Sequence, residues 1–294
     1  MVHNVVTIDV EDYFNVLNLR TILPESKWGG CPAYVERDTE KILEILDWRG
    51  TKATFFVLGW IGERFPGLVK QIHRRGHEVA CHSYGHNLVY DMNPDQFLED
   101  TRKAKDILEG IIGAPVLGYR APSFSILPSC QWAYRILMEL GFKYSSSTHP
   151  IHHNDYGNPD GLTAPHVITT QDKDQWLMEV PVSTFRVFHQ NLPFSGGGYM
   201  RLIPYQLLSE AIRRKNQSGD VVVIYLHPWE INPEQPRFRI QLSKKFRHYV
   251  NLATTDRKFW RLIDEFPCRS MGSFIQEMQV ARPPAAGKQT IHTA

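Results

Sequence analysis

The chain has 294 residues, of which 42% are hydrophobic and 22% are charged, and its formal net charge is +2. A chain of this length and composition buries a full hydrophobic core, which excludes a disordered or fibrous protein. The small net charge excludes a strongly basic surface of the kind that binds nucleic acids or anionic membranes.

The sequence carries no sign of membrane insertion or export. Its longest apolar run, residues 221–226, is far shorter than the ~20 residues that span a bilayer. The amino-terminal apolar stretch has no basic region before it and leads directly into Asp9, Glu11 and Asp12, unlike a signal peptide. We therefore expect a cytoplasmic protein without a membrane span. The four cysteines form no CxxC pair, so we expect reduced, packed thiols at Cys31, Cys81, Cys130 and Cys268.

The predicted elements alternate between strands and helices from the start of the chain. The β-branched segment Asn4–Val10 predicts a strand buried on both faces. A helical pattern runs from Val35 to Leu46 and stops at Gly50, and a second buried strand follows at residues 52–58. The same alternation continues in the segments 68–72, 77–80, 97–111, 116–119, 132–140, 142–144, 176–182, 204–215, 220–226 and 258–266.

This alternation indicates a mainly parallel sheet in an α/β protein. About seven or eight strand candidates occur, with no break in composition near the middle and no internal repeat. A single closed or partly closed α/β barrel over residues 1–280 fits this pattern better than two domains. The remaining segment, residues 281–294, is predicted to be a disordered tail.

Polar side chains just after apolar strands are the first candidates for function, because ligand sites lie at the carboxyl ends of parallel strands. Asp9, Glu11 and Asp12 end the first strand. They form either a solvated turn or a site in which a cation, or an altered pKa, relieves the repulsion between like charges.

His82 and His86 follow another strand at the spacing i, i+4. If this segment turns helically, both imidazoles face one point, as a zinc ion requires. The spacing alone is a weak signal in a chain with 13 histidines. Together with the acidic cluster it supplies an Asp/His/His set, which leaves a fourth position for water as in catalytic zinc sites.

Two further strand ends carry single candidates. Arg120 follows a strand and precedes the stiffening Pro122, so it pairs with a carboxylate of the first cluster or lies at the surface against Phe124. His227 follows the most β-branched strand, so it is either a general acid or base or a buried structural histidine.

Taken in order, these four segments resemble the NodB-homology polysaccharide deacetylases, carbohydrate esterase family four, over roughly residues 1–275. The strings at 7–14, 196–199 and 227–230 are most similar to the deacetylases encoded at exosortase (PEP-CTERM, XrtA) exopolysaccharide loci. The resemblance implies an irregular (β/α) barrel with about seven strands and a Zn2+ ion, with another divalent transition metal as an alternative. It also implies removal of N-acetyl groups from an N-acetylated exopolysaccharide or oligosaccharide.

The resemblance also implies roles for individual residues. Asp9 would be the catalytic base, His227 the catalytic acid, and Arg120 the group that holds the base. The metal ligands would be His82 and His86 with a carboxylate that is either Asp12 or Glu11; we choose Asp12. Substrate-binding positions would be Tyr119, Pro122 and Trp229.

The sequence departs from the family pattern at one position that matters for the acid. The family often has an aspartate that tunes the acid histidine, and Ser145 stands in its place. Another residue must therefore orient His227, or its pKa is tuned less. Two alternatives remain open: an allantoinase-like hydrolase of cyclic amides, and a polysaccharide-binding relative without catalysis.

Overall fold

The computed structural model describes residues 2–153, 156–170, 175–281 and 288–290. The strands are β1 Asn4–Val10, β2 Thr54–Val57, β3 Glu78–Cys81, β4 Gly118–Tyr119, β5 Tyr144–Ser145, β6 His166–Thr169, β7 Trp176–Glu179, β8 Thr184–Val187, β9 Gln190–Pro193, β10 Val223–Leu226, β11 Cys268–Arg269 and β12 Lys288–Thr290. The helices are α1 Glu25–Trp28, α2 Val35–Trp48, α3 Gly59–Arg64, α4 Pro66–Arg74, α5 Pro94–Ile112, α6 Trp132–Glu139, α7 Gly197–Leu202, α8 Tyr205–Gln217, α9 Leu242–Tyr249, α10 Leu252–Glu265 and α11 Met271–Ala281. Short 3-10 turns lie at Leu17–Leu19, Val89–Asp91, Pro122–Phe124, Pro128–Cys130 and Pro228–Ile231.

One sheet contains ten of these strands, in the order β10-β1-β2-β3-β4-β5-β7-β6-β12, with β11 paired to β1. All of its described pairs are parallel except β6 with β7. The predicted α/β fold with parallel strands is therefore confirmed. Among the described residues the strand order ends at β10 and β12, so the sheet is a curled half-barrel rather than a closed barrel.

The central strands form because their residues are apolar or β-branched and lie between two packed layers. Every residue of β1 and β2 is buried. On the helical side, α3 and α4 pack against α5, and α10 packs against α2. Helix α5 begins with a capping box between Asn93 and Gln96 and ends at Gly113, whose φ of 67° suits a left-handed cap.

The register of the sheet aligns the strand ends that carry the candidate residues. Ile8 lies beside Leu226, so the residues that follow β1 and β10 emerge side by side. Cys81 lies beside Tyr119, and the residues that follow β3 and β4 are neighbours for the same reason. The four predicted segments therefore meet at one edge of the sheet.

A short strand lies within the segment predicted to be a tail. Within residues 281–294, Lys288–Thr290 pairs in parallel with Val167–Thr169, because the edge strand β6 leaves its outer backbone groups open to pairing. Residue 281 ends α11, and the rest of the predicted tail lies outside the described residues. A two-stranded antiparallel hairpin, β8 with β9, was not predicted.

No helix in the described part of the chain combines the length and the apolar character needed to cross a membrane. All four cysteines are free, with Cys81 and Cys130 buried and Cys31 and Cys268 half-buried.

Candidate active site

Three side chains with metal-binding atoms converge beyond the ends of β1 and β3. The candidate ligand atoms of Glu11, His82 and His86 lie within 4.8 Å of one another. One carboxylate oxygen, Glu11 Oε1, is 3.0 Å from Nε2 of each histidine. All three side chains are buried, and Glu11 and His86 line a cavity that opens beside them.

The hydrogen bonds of His82 indicate that a proton or a metal ion lies between its ring and Glu11. His82 Nδ1 lies 2.7 Å from the carbonyl oxygen of Arg120, which only accepts hydrogen bonds, so Nδ1 carries a proton. In the neutral ring, Nε2 then presents a lone pair to the Glu11 oxygen. Two acceptors face each other across 3.0 Å unless a second proton or a metal ion lies between them. Imidazole nitrogen and carboxylate oxygen are ligands that zinc prefers, so the residues fit the implied ion.

The electrostatics of Glu11 agree with this. Burial raises the pKa of its carboxyl group, but His86, His227 and His82 outweigh burial and hold the pKa well below its usual range. Glu11 is therefore an anion at neutral pH.

The backbone brings the two histidines together in a way that the spacing did not predict. The segment from His82 to His86 is not helical. It turns because Ser83 and His86 adopt left-handed conformations, with φ of 62° and 53°. Asp100 on α5 supports the turn by accepting hydrogen bonds from the backbone N–H groups of Tyr84 and Gly85. Such strained residues persist where the surrounding structure holds them, as at functional sites.

Asp12, predicted as the third ligand, is directed elsewhere, and this prediction is corrected. Its Oδ2 accepts hydrogen bonds from the backbone N–H groups of Tyr34 and Val35, at 2.5 and 2.8 Å, and its Oδ1 accepts one from Tyr13. The carboxylate therefore satisfies the free N–H groups at the start of α2. Burial raises the pKa of Asp12 to about 6 against these bonds.

Asp9 and Arg120 form the predicted contact. Arg120 Nη1 donates to Asp9 Oδ1 at 2.7 Å and to Thr7 Oγ1 at 2.8 Å. Arg120 Nε and Nη2 donate to the carbonyl and hydroxyl oxygens of Ser146. The guanidinium is fully buried over the ring of Phe56, so it is not the surface arginine of the alternative interpretation. Asp9 Oδ1 is thus fixed, and Oδ2 faces His227 Nε2 at 3.7 Å.

His227 is oriented by Glu230, three residues further along the chain. His227 Nδ1 donates to Glu230 Oε2 at 2.8 Å, and the backbone N–H of His227 donates to the same oxygen at 3.0 Å. Arg201 Nε donates to the other oxygen, Glu230 Oε1, at 2.7 Å. Burial lowers the pKa of His227, but Glu11, Glu230 and Asp9 outweigh burial and raise it to about 9. His227 therefore carries a proton at neutral pH and is positioned to donate it.

The cavity is lined by Asp9, Glu11, His86, Ser123, Phe124, Tyr156, Arg201, Tyr225, His227, Trp229 and Arg247, among others. Of the three predicted substrate-binding residues, Trp229 lines it and stacks between His227 and His248. Tyr119 does not: it is fully buried in the main core, and its hydroxyl bonds Ser83 Oγ. Pro122 is buried in the 3-10 turn and does not line the cavity. The turn after β4 presents Ser123 and Phe124 to the cavity instead.

Sequence reasoning missed Glu230 and Arg201. Glu230 had a local signal, since a residue at a helix start followed three positions later by glutamate is typical of a capping box. Arg201 had no such local signal, because it lies on α7 and contacts Glu230 in a different element, the 3-10 turn after β10.

Two family models match the chain in succession. Residues 30–144, which include His82, His86 and Arg120, match the model described as polysaccharide deacetylase. These residues are therefore similar to a polysaccharide deacetylase domain. Residues 146–276, which include Arg201, His227 and Glu230, match the model described as a domain of unknown function, DUF3473. The two matched regions share one sheet, because Tyr144 in the first pairs with Met178 in the second. Strand β1 precedes both regions and pairs with β2 in the first and β10 in the second.

Individual relatives show the same similarity. A Bacillus cereus peptidoglycan-N-acetylglucosamine deacetylase is 36% identical over 96 residues, which are 32% of this chain and 35% of that protein. A Helicobacter pylori peptidoglycan deacetylase is 32% identical over 106 residues, 35% of this chain and 33% of that protein. The chain thus spans about a third of the length of these relatives.

Solved structures show the fold. A Mycobacterium smegmatis protein described provisionally as a polysaccharide deacetylase has a TM-score of 0.63 at 20% identity, covering 99% of this chain and 96% of its own. An allantoinase has a TM-score of 0.62 at 15% identity, covering 96% and 91%. The fold is therefore shared by the deacetylase and by the allantoinase, and function has to be argued from the site.

Proposed function

We propose that this protein is a metal-dependent N-deacetylase that hydrolyses N-acetyl groups on a polysaccharide or oligosaccharide. One observation carries the proposal: the Glu11, His82 and His86 cluster adjoins a cavity that Asp9 and His227 also line. A cation site, a base and an acid around one cavity form the constellation that amide hydrolysis requires.

In this proposal Glu11, His82 and His86 hold a zinc ion or another divalent transition metal. When bound, the cation lowers the pKa of water and stabilises negative charge on an amide oxygen. His86 and Glu11 lie at the cavity wall, whereas His82 lies behind them with Nδ1 fixed on the Arg120 carbonyl.

Asp9 accepts one proton in the reaction, and His227 donates another. Asp9 Oδ1 is held by Arg120, so Oδ2 is the oxygen that takes a proton from the attacking water. His227 Nδ1 is held by Glu230, so Nε2 delivers a proton to the amide nitrogen as the C–N bond breaks. The bond's electron pair goes to that nitrogen, and the products are acetate and a free amine on the sugar.

The resemblance and the cavity support the proposed substrate class. The similarity to deacetylases of exosortase loci points to an exopolysaccharide, and the Bacillus cereus and Helicobacter pylori relatives act by name on peptidoglycan. Leu17 and Asn18 line both the catalytic cavity and a second cavity that contains Arg20, Tyr90 and Lys244. Two adjoining cavities suit a chain of sugars better than a single N-acetyl sugar.

Acetate release tests the proposal. Purified protein, with its metal content measured, is incubated with N-acetylated oligosaccharides of increasing length. We expect acetate release that increases with length, is abolished by chelation and returns with zinc. Asp9→Asn should keep the metal and lose turnover, because Asp9 is not in the ligand cluster. Metal-replete protein that releases no acetate from any N-acetylated glycan, or an Asp9→Asn variant with normal turnover, would contradict the proposal.

The allantoinase-like alternative shares the fold, and the order Asp9-Val10-Glu11 is the sequence feature that favours it. Ring opening of a ureide without release of acetate from glycans would select that activity instead.

A further inference from the structure

The geometry points to a role for the DUF3473 region in catalysis: its Arg201 and Glu230 form a buried relay that positions the acid His227. This inference rests on the proposed function, in which His227 protonates the leaving amine. Arg201 and Glu230 are positioning residues here, because they act through His227.

Glu230 fixes both the backbone and the ring of His227. One oxygen, Oε2, accepts the Nδ1–H at 2.8 Å and the backbone N–H at 3.0 Å, so the ring has little freedom to rotate about its side-chain bonds. Because the Nδ1 proton of His227 is held in the hydrogen bond to Glu230, Nε2 is the ring nitrogen that exchanges protons with groups in the cavity. Glu230 is fully buried, so water does not compete for this bond.

Arg201 keeps Glu230 in place and ionised. It donates from Nε to Glu230 Oε1 at 2.7 Å, and it is itself 2% exposed. Burial raises the pKa of Glu230, but the charges of Arg201 and His227 outweigh it, so the carboxylate is an anion. A buried arginine without this partner would be strongly destabilising, which ties the two residues into one unit.

The other nitrogens of Arg201 connect the relay to the carboxyl-terminal end of α9. Nη1 donates to the carbonyl oxygens of His248 and Val250, and Nη2 donates to that of Arg247, at 2.7 to 3.0 Å. Arg201 lies on α7, His227 follows β10, and the three carbonyls lie at the end of α9. All of these elements fall within residues 146–276, so this region builds the orientation of the acid from its own parts.

The relay explains the departure at Ser145. Ser145 Oγ donates to Ser147 Oγ and contributes no charge to His227. The carboxylate instead arrives from the 3-10 turn that follows His227 itself. The charged groups that face His227 are Asp9 and Glu11 from the end of β1, Glu230 from its own turn, and Arg201 behind Glu230.

Kinetics of metal-loaded variants test the relay. Replacing the carboxylate that orients a catalytic histidine by an amide costs other enzymes up to ~10⁴ in kcat. We expect Glu230→Gln to lower kcat by at least about 10²-fold with little change in KM, and Glu230→Asp to recover part of the loss because it restores the charge. Arg201→Met should lower kcat similarly, and Arg201→Lys less. The matched control is Glu234→Gln, an exposed glutamate four residues further along, which should behave as wild type.

Nuclear magnetic resonance of protein with 15N-labelled histidine tests the relay without activity. The wild type should show a downfield Nδ1 proton, assigned to His227 by its loss in His227→Gln. The signal should move upfield or vanish in Glu230→Gln and stay in Glu234→Gln. An unchanged signal, or a Glu230→Gln variant with wild-type kcat, would overturn the relay. A correct signal in a protein that deacetylates nothing would instead overturn the proposed function and leave the relay standing.

Discussion

Exchanging each of two neighbouring carboxylates for its amide should separate metal binding from fold stability. Glu11→Gln removes the charged oxygen that lies 3.0 Å from both ligand histidines. Asp12→Asn removes the charge shared by three backbone N–H groups, that of Tyr13 and those of Tyr34 and Val35 at the start of α2. Both changes preserve side-chain size, so differences between the variants report on the role of each carboxylate.

The magnitudes follow from these contacts. Loss of a group that merely supports a metal ligand costs 10–100-fold in affinity, so loss of a ligand itself should cost at least ~10²-fold. A 10²-fold weaker metal lowers the metal-dependent stabilisation of the protein by about 2.7 kcal/mol. Asp12→Asn weakens the capping of α2, which costs about 1–2 kcal/mol, or a fall in Tm of about 2–3 °C for a chain of this size.

Elemental analysis, chelator competition and thermal unfolding with and without zinc measure both quantities. Glu11→Gln should lose zinc and lose the difference in Tm between the metal-free and metal-loaded protein. Asp12→Asn should keep zinc, keep that difference and unfold at a lower temperature in both states. Stoichiometric, tightly bound zinc in Glu11→Gln, together with its loss in Asp12→Asn, would refute the assignment of Glu11 as the ligand.

Three further predictions concern single positions. Ser145→Asp should leave the alkaline limb of the pH–rate profile unchanged, because Glu230 already binds His227 Nδ1; a limb that moves to higher pH would show that this role is open. Burial lowers the pKa of His149 to about 3, so the native state excludes a proton that the unfolded chain binds below pH ~6.5. The free energy of unfolding therefore falls as pH falls through this window, by about 2 kcal/mol at pH 5. Urea unfolding at pH 7 and pH 5 should show that His149→Phe loses about 2 kcal/mol less than wild type between these two pH values. Gly196→Ala should destabilise the protein by about 1–3 kcal/mol, because the added Cβ would lie 2.1 Å from the ring of Tyr225. In the control Gly198→Ala the added Cβ lies 3.4 Å from its nearest atom, so the same assay should show almost no change in stability.

The strand-end positions of the chemical groups were predictable because the pattern that predicts them is local. A buried parallel strand is an apolar run, and the polar residue that ends it lies at the ligand-binding edge of the sheet. Asp9, His82, Arg120 and His227 all follow this rule, and the structure brings them to one edge. The parallel α/β fold was predictable for the same reason.

The sequence by itself determined which chemistry this protein carries: carboxylates, two histidines, an arginine and a further histidine at the ends of parallel strands. The tertiary structure decided which of them meet. Glu11 and Asp12 are indistinguishable as a pattern, and only the position of α2 draws Asp12 to a helix start and leaves Glu11 facing the histidines. The pairing of Arg201 with Glu230 likewise depends on how α7 packs beside β10, because a contact between distant segments is set by packing and leaves no periodic trace in the chain.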